Sequence, residues 1–117
     1  MSTKWMAMVV VLGVLVGCQS AEERCNAAKV EAYDAWTAWR DSVHGDFNLW
    51  ADIEAAGNRA RGPAIPFRDA VRLVRTNHEA RVAGPLGGDP AALSTPLAER
   101  AFAAADAHWA QCSSVNP

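Results

Sequence analysis

From Ser20 to Cys112 the apolar side chains recur at three- and four-residue steps. That rhythm is broken three times by turn-forming residues: Gly45-Asp46, Gly62-Pro63 and the stretch AGPLGGDPAALS at 83–94. Residues three and four apart share one face of a helix, so this pattern restricts the chain to a few amphipathic helices packed on one another. Alanine dominates and runs of β-branched residues are absent, which favours helix over strand. A first helix is expected to open at Ser20, where the serine three residues before Glu23 makes a capping box. Its stripe is Cys25, Ala28, Ala32, Trp36, Trp39 and Val43, and Gly45 ends it. Asp46 caps a second helix with Leu49, Trp50, Ile53 and Ala60 facing inward. A third begins near Pro66 and turns Phe67, Ala70, Val71, Val74 and His78 to the core. Thr95-Pro96 opens a fourth, with Ala98, Ala101, Ala105, Trp109 and Cys112 on one face.

The residues before Ser20 have a different character. One basic side chain, Lys4, precedes a continuous apolar stretch from Trp5 to Val16, which Gly17-Cys18 closes. A membrane-spanning helix needs about 20 apolar residues, and this run is shorter. A basic start, an apolar middle and small residues at the end are the layout of an export signal. A buried core helix is the competing reading, but no polar residue alternates with the apolar ones to leave a solvent face.

The closing residues Leu15-Val16-Gly17-Cys18 resemble the bacterial lipobox: a leucine, two small or apolar residues and a cysteine. The resemblance covers roughly the first 20 residues. It implies a signal peptide over 1–17, cleavage before Cys18, and acyl chains on Cys18, palmitate among them. The length and helical pattern of residues 18–117 predict a single helical domain. Two or more chains anchor stably, at about 0.8 kcal/mol per buried methylene. Gln19 stands where the family places an inner-membrane retention aspartate. The implied location is therefore the cell envelope, on the outer membrane of a Gram-negative bacterium. Loss of Lys4 takes the formal charge from −2 to −3, leaving ten basic against thirteen acidic side chains. A balance this close to neutral implies no nucleic-acid partner.

Assigning Cys18 to lipid leaves Cys25 and Cys112 as a pair in an oxidising compartment. Closing a loop of that length stabilises a fold by up to about 4.6 kcal/mol in the chain-entropy treatment. Two buried thiols are the alternative at this stage. If the pair is bonded, the first and last helices lie antiparallel. Ala28 then falls near Trp109, and Trp36 near Ala101 and Ala105, so large residues meet small ones. The expected fold is all-α, a small antiparallel four-helix bundle of up-down-up-down topology. Its main rival fuses the first two helices through Gly45. The disulfide end sits close to the membrane, while the Gly45 turn and the 83–94 loop lie at the distal end.

Chemistry-bearing patterns are sparse. His78 and His108 are weak candidates for metal ligation, and hydrogen-bonded core histidines are the alternative. His44 is explained by a helix C-terminus. Val82 stands where a zincin motif needs its second histidine, and GPLGGD lacks the lysine and hydroxyl of a P-loop. Neither a haem-attachment motif nor a nucleophile elbow occurs. The expectation is a non-enzymatic protein without a cofactor beyond its lipid. Arg68, Arg72 and Arg75 form a basic stripe on the third helix, a candidate contact surface for an acidic envelope protein, phospholipid head groups or a cell-wall polymer; a solvated face partly neutralised by Asp69 and Glu79 is the alternative. The alternative expectation is a small-ligand or metal-binding module using the core histidines and tryptophans.

Overall fold

The helices form where the caps and stripes place them. The computed structural model describes residues 19–85 and 87–115, so Cys18 and the apolar run before it lie outside the described residues. Helix α1 runs Ala21–Ser42, α2 Phe47–Arg61, α3 Phe67–Ala83 and α4 Pro96–Cys112, with a short 3₁₀ turn over Pro90–Leu93 before α4. No strand occurs among the described residues. Ser20 accepts from the Glu23 N–H at 3.1 Å, Asp46 from Leu49 at 3.1 Å and Thr95 from Ala98 at 3.2 Å. Each side chain satisfies an N–H that has no partner within its own helix. Pro66 stands one residue before α3, at the cap position, and provides no side-chain hydrogen bond.

The rival in which the first two helices are fused is not adopted. Helix α1 stops at Ser42 with Val43 as its C-cap, and residues 43–45 form a turn that leads into the Asp46 cap. The last turn therefore ends before Gly45, which lies in the connection rather than in the position immediately after the cap.

Helix α1 packs most extensively on α4 and also on α2, while α3 packs on α2 and α4. One buried cluster draws on all four helices. The large residues of its centre are Trp36, Trp39, Leu49, Ile53, Phe67 and Val74, all on α1 to α3. Helix α4 contributes Ala98, Ala101, Ala104 and Ala105, so its backbone can approach closely. The third stripe is buried as expected, from Phe67 through His78. Four expected core positions are not fully buried, Val43 at the end of the first stripe among them. Ala28 and Trp50 are intermediate, and Trp109 is 40% exposed. Trp109 sits at the edge of its stripe, where the Arg68 guanidinium covers its ring at 5.1 Å.

Trp36 fixes how α1 meets α2. Its indole N–H donates to the Ile53 carbonyl at 2.8 Å, and its ring stands edge-on to Trp39 at 5.5 Å and tilted to Phe67 at 5.6 Å. The carbonyl of a mid-helix residue is reachable because Gly57, one turn further on, has no side chain. A Cβ built there would overlap the indole, lying 2.7 Å from its Cδ1. Three ion pairs tie neighbouring helices: Arg40–Glu54 at 2.8 Å, Arg81–Asp52 at 2.6 Å and Arg100–Glu31 at 2.9 Å. Glu54 and then Asp41, by hydrogen bonding, hold the Arg40 guanidinium above its ordinary pKa.

Candidate functional site

Cys25 and Cys112 are bonded, with Cα atoms 4.8 Å apart. Cys25 lies just over one turn into α1 and Cys112 is the last residue of α4, so the bond closes one end of the helices. The connection between α2 and α3, residues 62–66, reaches the same end. Together these elements enclose a cavity of about 320 Å³ whose lining includes the disulfide, Lys29, Arg61, Pro66, His108 and Trp109.

Two cations converge at this cavity. The Lys29 ammonium and the Arg61 guanidinium each lie 5.8 Å from the centre of the Tyr33 ring. Arg61 is held further by donating to the Thr37 hydroxyl at 2.8 Å. Among the described residues neither is ion-paired with a carboxylate. His108 stands edge-on to Phe67 at 5.7 Å, and its Nδ1 is buried without a hydrogen-bond partner among the described residues. Burial, and then the charge of Lys29, push its pKa below the ordinary histidine value. The imidazole is therefore neutral at pH 7.

His78 is elsewhere. It is buried on α3, and its Nε2 lies 2.7 Å from the Asp89 carbonyl. A carbonyl can only accept, so Nε2 carries the proton there. Asp89 in turn caps the 3₁₀ turn by accepting from the Ala91 N–H at 2.9 Å. His78 thus ties the α3–α4 connection to the core. It lines a second cavity, with Arg75 and Glu79, that shares no lining residue with the first. The two histidines therefore do not converge. Among the described residues no group of three or more His, Cys, Asp or Glu is placed to hold a metal ion. His44 is exposed within the 43–45 turn.

All three arginines of the α3 stripe are exposed, but two of them lie across rings of α4. Arg68 covers Trp109, and Arg75 sits 4.6 Å from the centre of Phe102. Arg72 lies 4.0 Å from Asp69. A depression of about 350 Å³ runs beside them and is lined also by Glu79 and Asp106. The stripe is thus a set of guanidinium–ring contacts between two helices with carboxylates at hand.

At the opposite end, the 43–45 turn and the segment from Asp89 to Leu97 line a shared hollow of about 530 Å³ that includes Val43 and Leu49. Sequence reasoning placed both connections at that end. It did not single out Lys29 or Tyr33, although each follows Cys25 at helical spacing along the edge of the same stripe. Among the described residues no helix is long and apolar enough to cross a membrane. No known protein family, curated protein or solved structure matches this chain.

Proposed function

We propose that the chain is a small non-enzymatic envelope lipoprotein, anchored by acyl chains on Cys18 to the outer membrane of a Gram-negative cell, whose helical domain binds or scaffolds another envelope component. The observation that carries this reading is the order of features at the start of the chain. Lys4, the apolar run and Leu15-Val16-Gly17-Cys18 are followed after one further residue, Gln19, by the Ser20 helix cap. The domain then has no flexible stalk, and its disulfide end lies against the membrane surface.

The domain is read as an up-down-up-down antiparallel four-helix bundle. Contacts between neighbouring helices support this, because early residues of one meet late residues of the next. Between α1 and α2, Tyr33 meets Arg61 and Arg40 meets Glu54. Between α3 and α4, Arg68 meets Trp109 and Arg75 meets Phe102. Cys25 meets Cys112, while Trp39 meets Phe102, with ring centres 5.2 Å apart. The candidate contact surface for a partner is the α3 stripe of Arg68, Arg72 and Arg75, together with the distal connection. The second reading, a ligand or metal module on His78 and His108, has no comparable support, since they line separate cavities.

In cells fed labelled palmitate, the wild-type chain is expected to take up label and Cys18→Ala to remain unlabelled and unprocessed. A Cys18→Ala chain still labelled and membrane-bound overturns the anchor. For the contact surface, charge reversal at Arg68, Arg72 and Arg75 is expected to remove a partner crosslinked in envelopes. Retention of every crosslink overturns that assignment.

A further inference from the structure

From the cavity at the disulfide end we infer a binding site for a phosphate-bearing anion, the chemistry of an anionic lipid headgroup, held by Lys29 and Arg61. The pocket has the charge such a ligand requires. Among the described residues its lining carries two cations and no carboxylate. Both cations are placed on one ring, that of Tyr33, and neither is neutralised by an acidic partner among the described residues. Pro66 brings the start of α3 to the same wall, and among the described residues no side chain caps that helix. An uncapped helix start presents N–H groups and a partial positive charge of about half a unit. Its acidic first-turn residue, Asp69, lies beside Arg72 and outside the lining. The carbonyl ends of α2 and α4 are at the same end and oppose an anion with about half a charge each. Two full cations and the α3 start exceed them.

Position supplies the ligand class. Lys29 lies eight residues into α1 from its first residue, Ala21, about 12 Å along the axis at 1.5 Å per residue. If the chain is tethered at Cys18, the cavity is at the end of the domain nearest the headgroups. Trp109, 40% exposed at the rim under Arg68, is the kind of side chain that settles at a membrane–water boundary. Cations without a carboxylate partner among the described residues also gather here. Arg24, Lys29, Arg59, Arg61 and Arg68 all fall toward this end, whereas Arg40 and Arg81 are neutralised toward the other. The chemistry of the pocket stands apart from the lipoprotein reading; the supply of headgroups rests on it.

His108 is a reporter built into the wall. An anion beside it favours the protonated imidazole and so raises its titration midpoint. The processed protein is titrated by NMR of the His108 ring, with inorganic phosphate against chloride at equal ionic strength. A second series compares phosphatidylcholine nanodiscs with nanodiscs containing phosphatidylglycerol. The expected result is a saturable upward move of the His108 midpoint in phosphate and none in chloride. That response is expected to vanish in the K29Q/R61Q double variant, whose own midpoint starts higher because Lys29 is gone, and to persist in R100Q. A response to phosphatidylglycerol nanodiscs identifies a headgroup as the source, and a response to phosphate alone identifies a soluble ligand; both support the site. The site is overturned if the midpoint is the same in phosphate and chloride and in both nanodiscs, or if the response survives in K29Q/R61Q. The N-terminal mass of the same sample reports separately whether Cys18 is acylated, so failure of the anchor and failure of the pocket are distinguishable.

Discussion

Trp36 and Gly57 are one structural unit written in two helices. The indole fills the space that a side chain at 57 would take, and its N–H completes the contact on Ile53. Gly57→Ala is expected to destabilise the protein by about 1–3 kcal/mol through overpacking, partly offset by the roughly 1 kcal/mol that alanine gains over glycine in a helix. A lower urea midpoint together with a displaced Trp36 indole resonance is the expected signature. His108 makes the second residue-scale prediction. Its pKa is lowered in the folded state by burial and then by Lys29, so the unfolded chain binds more protons below the ordinary histidine pKa of about 6.5. Stability is therefore complete above that pH and falls as acid protonates the unfolded chain first. The urea midpoint is expected to drop between pH 7 and pH 5, and His108→Gln is expected to flatten that slope. At this scale the sequence was partly legible. The face of α3 followed from strict spacing on a single helix. Gly57 did not, because its role is set by an indole on another helix. Trp109 was read as core from its step after Ala105, yet the edge of that stripe faces Arg68 and solvent.

Helix ends were the most legible elements, because a cap is a local device that needs no knowledge of the tertiary fold. Ser20, Asp46 and Thr95 cap as their spacing predicts. These caps should nevertheless differ in consequence. Thr95→Ala is expected to cost about 1 kcal/mol of global stability, since α4 packs on both α1 and α3. Ser20→Ala removes a similar bond from a turn that ends just before Cys25, where the disulfide already holds α1. It is expected to speed amide exchange in the first turn and to leave the global midpoint nearly unchanged. Hydrogen exchange of both variants checks the contrast. The disulfide-end cavity escaped sequence reasoning because it belongs to no single element. It is assembled from the edge of α1, the 62–66 connection and the last turn of α4, and only the packed structure brings them together.

For the whole molecule, the pairing of the first helix with the last is the feature on which the others depend. Replacing both Cys25 and Cys112 with serine releases a loop spanning 87 positions and is expected to lower stability by up to about 4.6 kcal/mol. Small domains have only about 5–15 kcal/mol in total, so the variant should melt far earlier in a thermal scan while keeping its helical circular dichroism at low temperature. The bond has a mechanical consequence as well. A pull on the two chain ends enters at the start of α1 and crosses the sulfurs directly to the end of α4. Everything from 26 to 111 is outside the path of the load. Stretched in an oxidising solution, the protein should yield only its short terminal segments. After reduction the same pull should release about 300 Å more, at roughly 3.3–3.6 Å per residue over the 87 positions the bond encloses.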